Sequence, residues 1–258
     1  MIRKLIQGLS LNSGKEYIQQ NSVWALVPVK SLAWAKRRLS CFLGDDRAEL
    51  TEAMFKDVIG ALNSSSEVSN VAVITADLDI IALAEDLGVF VIKETRSFGM
   101  NISLHNGIDV LRNLGAQWLA IFPVDIPLAT GAEIDRLIRA VNQERPNLGR
   151  KVMGITPCGK SDGTNFLYFN TADPIGLKYG AGSFSLHQQM ATQCQVTSVV
   201  VDSYPMSVDL DEKSDIDEFV LHSLKNSAFQ KTATWDFLQR KGYIERMQSM
   251  GRHYEQSC

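Results

Sequence analysis

A single carboxylate stands behind an apolar run and between two prolines in Phe122-Pro123-Val124-Asp125-Ile126-Pro127-Leu128. An ionised group at the end of a buried strand is costly unless it is paired or holds a cation. Magnesium is typically held by one or two carboxylates together with phosphate oxygens. Asp125 is therefore a candidate metal ligand and catalytic residue, and a turn or helix-capping Asp is the competing account. Asp209-Leu210-Asp211 supplies a second acidic site ahead of a helical segment. One of its two carboxylates is expected to face a cleft, with Asp209 as second metal ligand, Asp211 as its alternate, and helix capping as the competing role.

Cations are placed to meet anions. Lys30, Lys36, Arg37 and Arg38 fall within nine positions after Pro28-Val29. A loop with clustered Lys and Arg at the carboxyl end of a strand can hold phosphates through charge-assisted hydrogen bonds, whereas the plain alternative is a solvated basic loop. Further on, Gly159 and Asp162-Gly163-Thr164-Asn165 lead to Gly180-Ala181-Gly182-Ser183. Glycine lets backbone approach an anion closely, and Ser183 at a helix start adds hydroxyl and N–H donors. Asn101, after Gly99-Met100, either caps a helix or reads a ligand. His187, four positions after Ser183, shares its helical face and is a ligand contact or a structural hydrogen-bonder.

These residues need a scaffold. Short β-branched runs alternate with segments of helical period from Val23 onward, the rhythm of βαβ units and a mostly parallel sheet. Strands are expected at Val23 to Val29, Val71 to Thr75, Val89 to Ile92, Trp118 to Phe122, Val152 to Thr156, Phe166 to Phe169 and Val196 to Val201. Asp46 reads as the N-cap of a helix burying Leu50, Met54, Val58 and Leu62. Further helices are expected at Ile80 to Leu87, Met100 to Leu114, Glu133 to Val141, Ser183 to Thr192 and Ser214 to Leu224, with a last amphipathic piece from Trp235 to Met247.

At 258 residues, one α/β core is expected over 21–225, with peripheral extensions at 1–20 and 226–258 that are polar and poorly periodic. With 26 basic against 29 acidic residues, the surface lacks the basic face that a nucleic-acid backbone demands. The longest apolar run, Trp118 to Phe122, is far short of a bilayer span, and the N-terminus has no apolar h-region. A cytoplasmic protein with no membrane and no nucleic-acid partner is expected. Cys41, Cys158, Cys194 and Cys258 show neither paired nor short spacing and are expected to be free thiols.

In this order the motifs resemble the CofC/FbiD guanylyltransferases of coenzyme F-420 biosynthesis, relatives of the MobA-like nucleotidyltransferases, over roughly residues 23–220. Pro28-Val29-Lys30 and Ala35-Lys36-Arg37-Arg38-Leu39 carry the opening pattern, with Arg37 where a small hydroxyl residue is usual. Arg47 and Asp57 match a following helix, and Gly99-Met100-Asn101 matches a Gly-Leu-Asn turn. Asp125-Ile126-Pro127, Gly163-Thr164-Asn165, Gly180 to Ser183 with His187, and Asp209 to Asp211 complete the set. The resemblance implies a single-domain Rossmann-like nucleotidyltransferase (GT-A/MobA-like) α/β fold with helices flanking the sheet. It places Thr164, Gly180 and Ser183 at a phosphorylated acid, with Asn101, Asn165 and His187 completing the substrate set. It implies Mg2+ on Asp125 and Asp209, and Lys30, Lys36 and Arg38 beside the phosphates.

The reaction so implied is attack by the phosphate of a small phosphorylated carboxylic acid on the α-phosphorus of GTP. The acid would be 2-phospho-L-lactate, phosphoenolpyruvate or 3-phospho-D-glycerate. A phosphomonoester is already mostly dianionic at neutral pH, so no protein nucleophile is required. The alternatives are a metal-dependent glycosyltransferase of GT-A type and a nucleotide-binding protein without chemistry. A homodimer is compatible with all three.

Overall fold

The structure is a computed structural model described over residues 22–31, 36–148, 151–159, 162–173 and 175–247. The extension expected at 1–20 and the final residues 248–258 lie outside the described residues. Seven strands form one sheet: β1 Val23–Pro28, β2 Asn70–Thr75, β3 Phe90–Lys93, β4 Trp118–Ile121, β5 Val152–Pro157, β6 Thr164–Asn170 and β7 Thr197–Val200. Their order is β3-β2-β1-β4-β6-β5-β7. All pairings are parallel except those of β6, which runs antiparallel to β4 and β5.

Both faces of the sheet are covered, which is why β1 reads as a continuous apolar run rather than an alternating one. Val23, Ala25 and Val27 pack on one side with helices α2 (Arg47–Ser64) and α5 (Gly131–Leu148), through Val58, Ile59, Leu137 and Val141. Trp24 and Leu26 pack on the other side with α4 (Met100–Asn113) and α6 (Ser183–Gln193), through Leu104, Ile108, Leu111 and Ala191. The remaining helices are α1 (Ser40–Leu43), α3 (Leu78–Asp86), α7 (Tyr204–Ser207), α8 (Lys213–Lys225) and α9 (Ala233–Arg240). No described helix is long and apolar enough to cross a membrane.

Two readings of the sequence change. Asp46 stands at the N-cap position of α2 as expected but makes no side-chain cap bond: it has helical backbone inside a 3-10 turn (Gly44–Asp46), and its carboxylate accepts instead from Lys241 Nζ at 2.8 Å. The segment after 225 is not peripheral over 226–247. Phe229, Trp235, Phe237, Leu238, Tyr243 and Ile244 are buried in a third apolar cluster with Leu50 and Met54 of α2 and Phe219 of α8. The expected Leu50-Met54-Val58-Leu62 stripe thus serves two partners: Leu50 and Met54 face this cluster, while Val58 and Leu62 face the sheet. Asp57 on α2 fastens the join, its two oxygens accepting from Ala233 N at 2.7 Å and Thr234 N at 2.9 Å.

Candidate active site

The carboxyl ends of the parallel strands and the N-terminal end of β6 share one edge of the sheet. From β1 the chain builds outward to β2 and β3, then returns to β4 on the other flank of β1. Ligand crevices form at such a switch point. The loops after β1 and β4 meet there, and the loop after β7 joins them through Leu210 N–H, which donates to the Asp125 carbonyl at 2.9 Å.

Lys36 is the centre of the junction. Its Nζ donates to Asp125 Oδ2 at 2.7 Å and to Asp211 Oδ1 at 2.6 Å, and its side chain is 6% exposed. Its φ of 51° lies in the left-handed region that non-glycine residues seldom adopt, a strain held only where the surroundings fix it. Burial works against the ammonium, but attraction to Asp125 and Asp211 outweighs it and leaves the pKa raised. Lys36 therefore organises carboxylates instead of standing free in solvent as a phosphate clamp.

Asp209 completes the group. Burial, then repulsion from Asp125 and Asp211, pushes its carboxyl up to about 6, partly offset by Lys36. Asp211 pairs with Lys36 directly, and Asp209 meets the same group through charge. Residues two apart share a face of extended chain, and a tight bond from Asp211 N–H to the Asp209 carbonyl, 3.1 Å, keeps the pair together. Neither caps α8. Glu212 is the N-cap, in a capping box with Asp215, whose Oδ2 accepts from Asp211 N at 2.9 Å and Glu212 N at 2.7 Å.

On the β1–β3 side of the junction lies a cavity of about 800 Å³, lined by Lys30 after β1, Asp77 after β2, Glu94 and Arg96 after β3, and Met100 and Ser103 of α4. The Arg38 side chain is 70% exposed, 3.4 Å from Glu212. Of the cavity residues, sequence reading gave no site role to Asp77, Glu94 or Ser103, although Glu94 opens the stretch to Phe98 that precedes Gly99-Met100-Asn101. An acidic residue directly after the third strand was the available signal for Glu94.

On the β6 side, the chain turns at Gly180 and Gly182, whose φ values of 136° and 70° suit glycine, and enters α6 at Ser183. Ser183 Oγ donates to Thr164 Oγ1 at 3.1 Å, and Thr164 Oγ1 lies 3.0 Å from His187 Nδ1. Lys178 N–H donates to His187 Nε2 at 3.0 Å, so the ring proton is assigned to Nδ1, which donates to Thr164. Burial pulls the imidazole down to about 4. His187 is fully buried beneath Thr164, and both its ring nitrogens are bonded to protein groups, as the structural hydrogen-bonding reading has it.

Two further expected contacts are also committed to protein groups. Asn165 is buried, and its Nδ2 donates to the Met206 carbonyl at 2.8 Å. Asn101 neither caps α4 nor points freely at a ligand. Its Nδ2 donates to the Tyr179 carbonyl at 3.0 Å and its Oδ1 accepts from Tyr179 N at 2.8 Å, so it ties the cavity wall to the 180–183 turn. Thr164, Gly180 and Ser183 are grouped as expected, with the two hydroxyls buried and the backbone at Gly180 exposed.

The junction suits a divalent cation. Three carboxylates around one ammonium leave two negative charges in excess when all are ionised, and the cost of that excess falls on Asp209. Among the described residues, no three Asp, Glu, His or Cys side chains are arranged as a ready metal-binding group. An open carboxylate site is what magnesium uses, since it keeps waters and takes phosphate oxygens alongside one or two carboxylates.

A Rossmann-like sheet with acidic and basic loops converging at its switch point, flanked by a nucleotide-sized cavity, defines a nucleotidyltransferase-type α/β enzyme. Comparison with known proteins narrows the class. The profile of the guanylyl transferase CofC-like family matches residues 23–248, and the chain belongs to that family. It is 29% identical over 211 residues to a phosphoenolpyruvate guanylyltransferase of Sphaerobacter thermophilus, covering 81% of this chain and 98% of that one. It is 30% identical over 223 residues to a 2-phospho-L-lactate guanylyltransferase of Methanocaldococcus vulcanius, covering 85% and 92%. A crystal structure from Desulfovibrio desulfuricans, described as a nucleotide-diphospho-sugar transferase, superposes with a TM-score of 0.69 at 15% identity, covering 87% of this chain and 96% of that one. At that identity the likeness speaks for the fold alone. The chain is thus a guanylyltransferase of the family tied to coenzyme F-420 biosynthesis.

Proposed function

We propose that this guanylyltransferase joins GTP to a phosphorylated three-carbon acid, giving a diphosphate-linked guanosine product and pyrophosphate. The observation that carries the reading is the position of the Lys36–Asp125–Asp211 junction, with Asp209 beside it, between a cavity of about 800 Å³ and the 180–183 turn. The nucleoside occupies the cavity, with its triphosphate extending toward Lys30 and the junction. The acid sits over the turn, against Gly180 and the hydroxyl of Thr164, which accepts from Ser183 and His187 and keeps its own proton to donate. Asp125 and Asp209 hold Mg2+, which when bound offsets phosphate charge.

An oxygen of the acid's phosphate forms the new bond to the α-phosphorus, and the bond from that phosphorus to the bridging oxygen of the leaving pyrophosphate breaks. The acid's phosphate is largely dianionic near neutral pH, so no general base is assigned. This chain's contribution is positioning and fixed charge. Lys36 fixes Asp125 and Asp211, Lys30 and Arg38 supply cations at the mouth, and Asn101 holds the two ligand regions in register. The enzyme is taken to act in the cytoplasm, where GTP is available.

The acid belongs to the set 2-phospho-L-lactate, phosphoenolpyruvate and 3-phospho-D-glycerate. Each presents a carboxylate and a phosphate on a short carbon frame, and the relatives' names support the first two. Incubating the enzyme with GTP, Mg2+ and each acid in turn, with pyrophosphate assayed and the product weighed by mass spectrometry, tests the reading. Product is expected from at least one acid. Absence of pyrophosphate with all three would overturn it.

A further inference from the structure

We infer that Glu94 is the residue that selects guanine, accepting hydrogen bonds from N1–H and the 2-amino group of the base; the inference rests on GTP being the nucleotide in the cavity. Glu94 directly follows β3, and its own N–H donates to the Thr75 carbonyl at 2.8 Å, prolonging the β2–β3 ladder, so its position is fixed by the sheet. Ser103 Oγ donates to Glu94 Oε2 at 2.7 Å and sets the carboxylate's orientation. The other oxygen, Oε1, is buried and has no hydrogen-bond partner among the described residues. A buried carboxylate oxygen with no donor is costly, and a small turn of the Glu94 carboxylate toward the cavity it lines, onto the N–H groups of a ligand, relieves that cost.

The other acids lining the cavity are not in that position. Asp77 accepts from Asp79 N at 3.0 Å and Ile80 N at 3.2 Å as the N-cap of α3, and Asp79 is exposed in the first turn of that helix. The spacing of the strands also favours base over sugar. The phosphate-handling junction lies at β1 and β4, and β3 stands two strand spacings, about 10 Å, beyond β1. That is the reach of a ribose plus a purine, while the ribose itself ends over β2. At that distance guanine presents two adjacent donors to a carboxylate. Adenine presents a lone pair at N1 and is repelled, and hypoxanthine keeps N1–H but lacks the 2-amino donor.

The test compares kcat/KM for GTP, ITP and 2′-deoxy-GTP in the unsubstituted enzyme and in Glu94→Gln, which keeps the shape but turns one acceptor into a donor. The unsubstituted enzyme is expected to favour GTP over ITP by about 10-fold or more, as sites built on polar pairing do, with 2′-deoxy-GTP close to GTP. In Glu94→Gln that preference should collapse to within about 3-fold, on the loss of a charge-assisted bond, with the deoxy ratio unmoved. An unchanged GTP/ITP ratio, or a change confined to the deoxy ratio as ribose binding would give, overturns the assignment. Calorimetric binding of GTP and ITP without acid reads the same ratio independently of turnover. Intact base discrimination with no transfer to any acid would therefore count against the reaction and not against Glu94, and lost discrimination with intact transfer would do the reverse.

Discussion

At the scale of single residues, the site is a place where charge is deliberately unbalanced. Asp209 sits beside Asp125 and Asp211, with Lys36 to offset them. Replacing it by Asn should relieve repulsion, so Asp209→Asn is expected to melt higher than the unsubstituted protein in a chelator, by on the order of 1 kcal/mol after solvent screening, while losing transferase activity. A lower melting temperature would contradict the account of the cluster. His187 gives a pH dependence of definite sign. Its folded-state pKa is pulled down to about 4 from 6.5 by burial, so between those values the unfolded chain binds more protons. Stability is then complete above about 6.5 and falls as pH drops toward 4, by at most about 3 kcal/mol. Urea midpoints measured at pH 7.5 and pH 5 should show this fall, and His187→Gln should flatten it. An equal slope in the variant would remove His187 as its source.

Asp125, Lys36 and Asp209 could be singled out one by one in the sequence as charged residues in loops after apolar strands, but the pairing of Lys36 with Asp125 and Asp211 could not. The roles of Asn101, Asn165 and His187 were not legible. Each is polar and lies in a glycine-bearing motif, as a ligand contact would, yet its partner is a backbone or hydroxyl group far away in sequence. Nothing local distinguishes a side chain that meets substrate from one that holds the residue that does.

At the scale of elements, helix α2 connects the catalytic sheet to the C-terminal segment. The periodicity of α2 and the amphipathic stretch from Trp235 were both visible in sequence, but periodicity does not say which helix covers which face. The polar residues between 226 and 234 made a tail look plausible, and only the pairing of Leu50 and Met54 with Trp235, Phe237 and Leu238 shows the segment to be core. Asp57 is the latch: its carboxyl is pushed up by burial while the donors of Thr234 and Ala233 pull the other way. Asp57→Ala leaves two helix N-terminal N–H groups without their carboxylate and is expected to cost about 2 kcal/mol, read as a lower urea midpoint with little change in KM for GTP. An unchanged midpoint would show that α9 is held by packing alone. Deleting 226–258 should abolish cooperative melting, because Trp235, Phe237 and Leu238 leave an uncovered face on α2. A truncated chain that melts near the full-length temperature would contradict this.

At the scale of the whole molecule, the alternation of strand and helix was enough to give the α/β class, and β1's unbroken apolar run gave its burial. The antiparallel insertion of β6 between β4 and β5 was not legible, since Phe166 to Phe169 reads like any other core strand. That insertion matters for function. It brings Thr164, the first residue of β6, to the same edge as the ends of β1 and β4, and with it the 180–183 turn, whose Ser183 bonds Thr164. Segments as distant as Lys36, Asp125 and Asp211 are joined by two ion pairs because the sheet reverses its order there.

The central claim is that this junction handles the triphosphate. The most direct measurement is the rate of pyrophosphate release by Asp125→Ala against the unsubstituted enzyme, at saturating GTP, Mg2+ and competent acid, with folding checked by circular dichroism. Loss of about 3 kcal/mol of transition-state stabilisation predicts a fall of roughly a hundredfold or more. Turnover within a few-fold of the unsubstituted rate would contradict the claim.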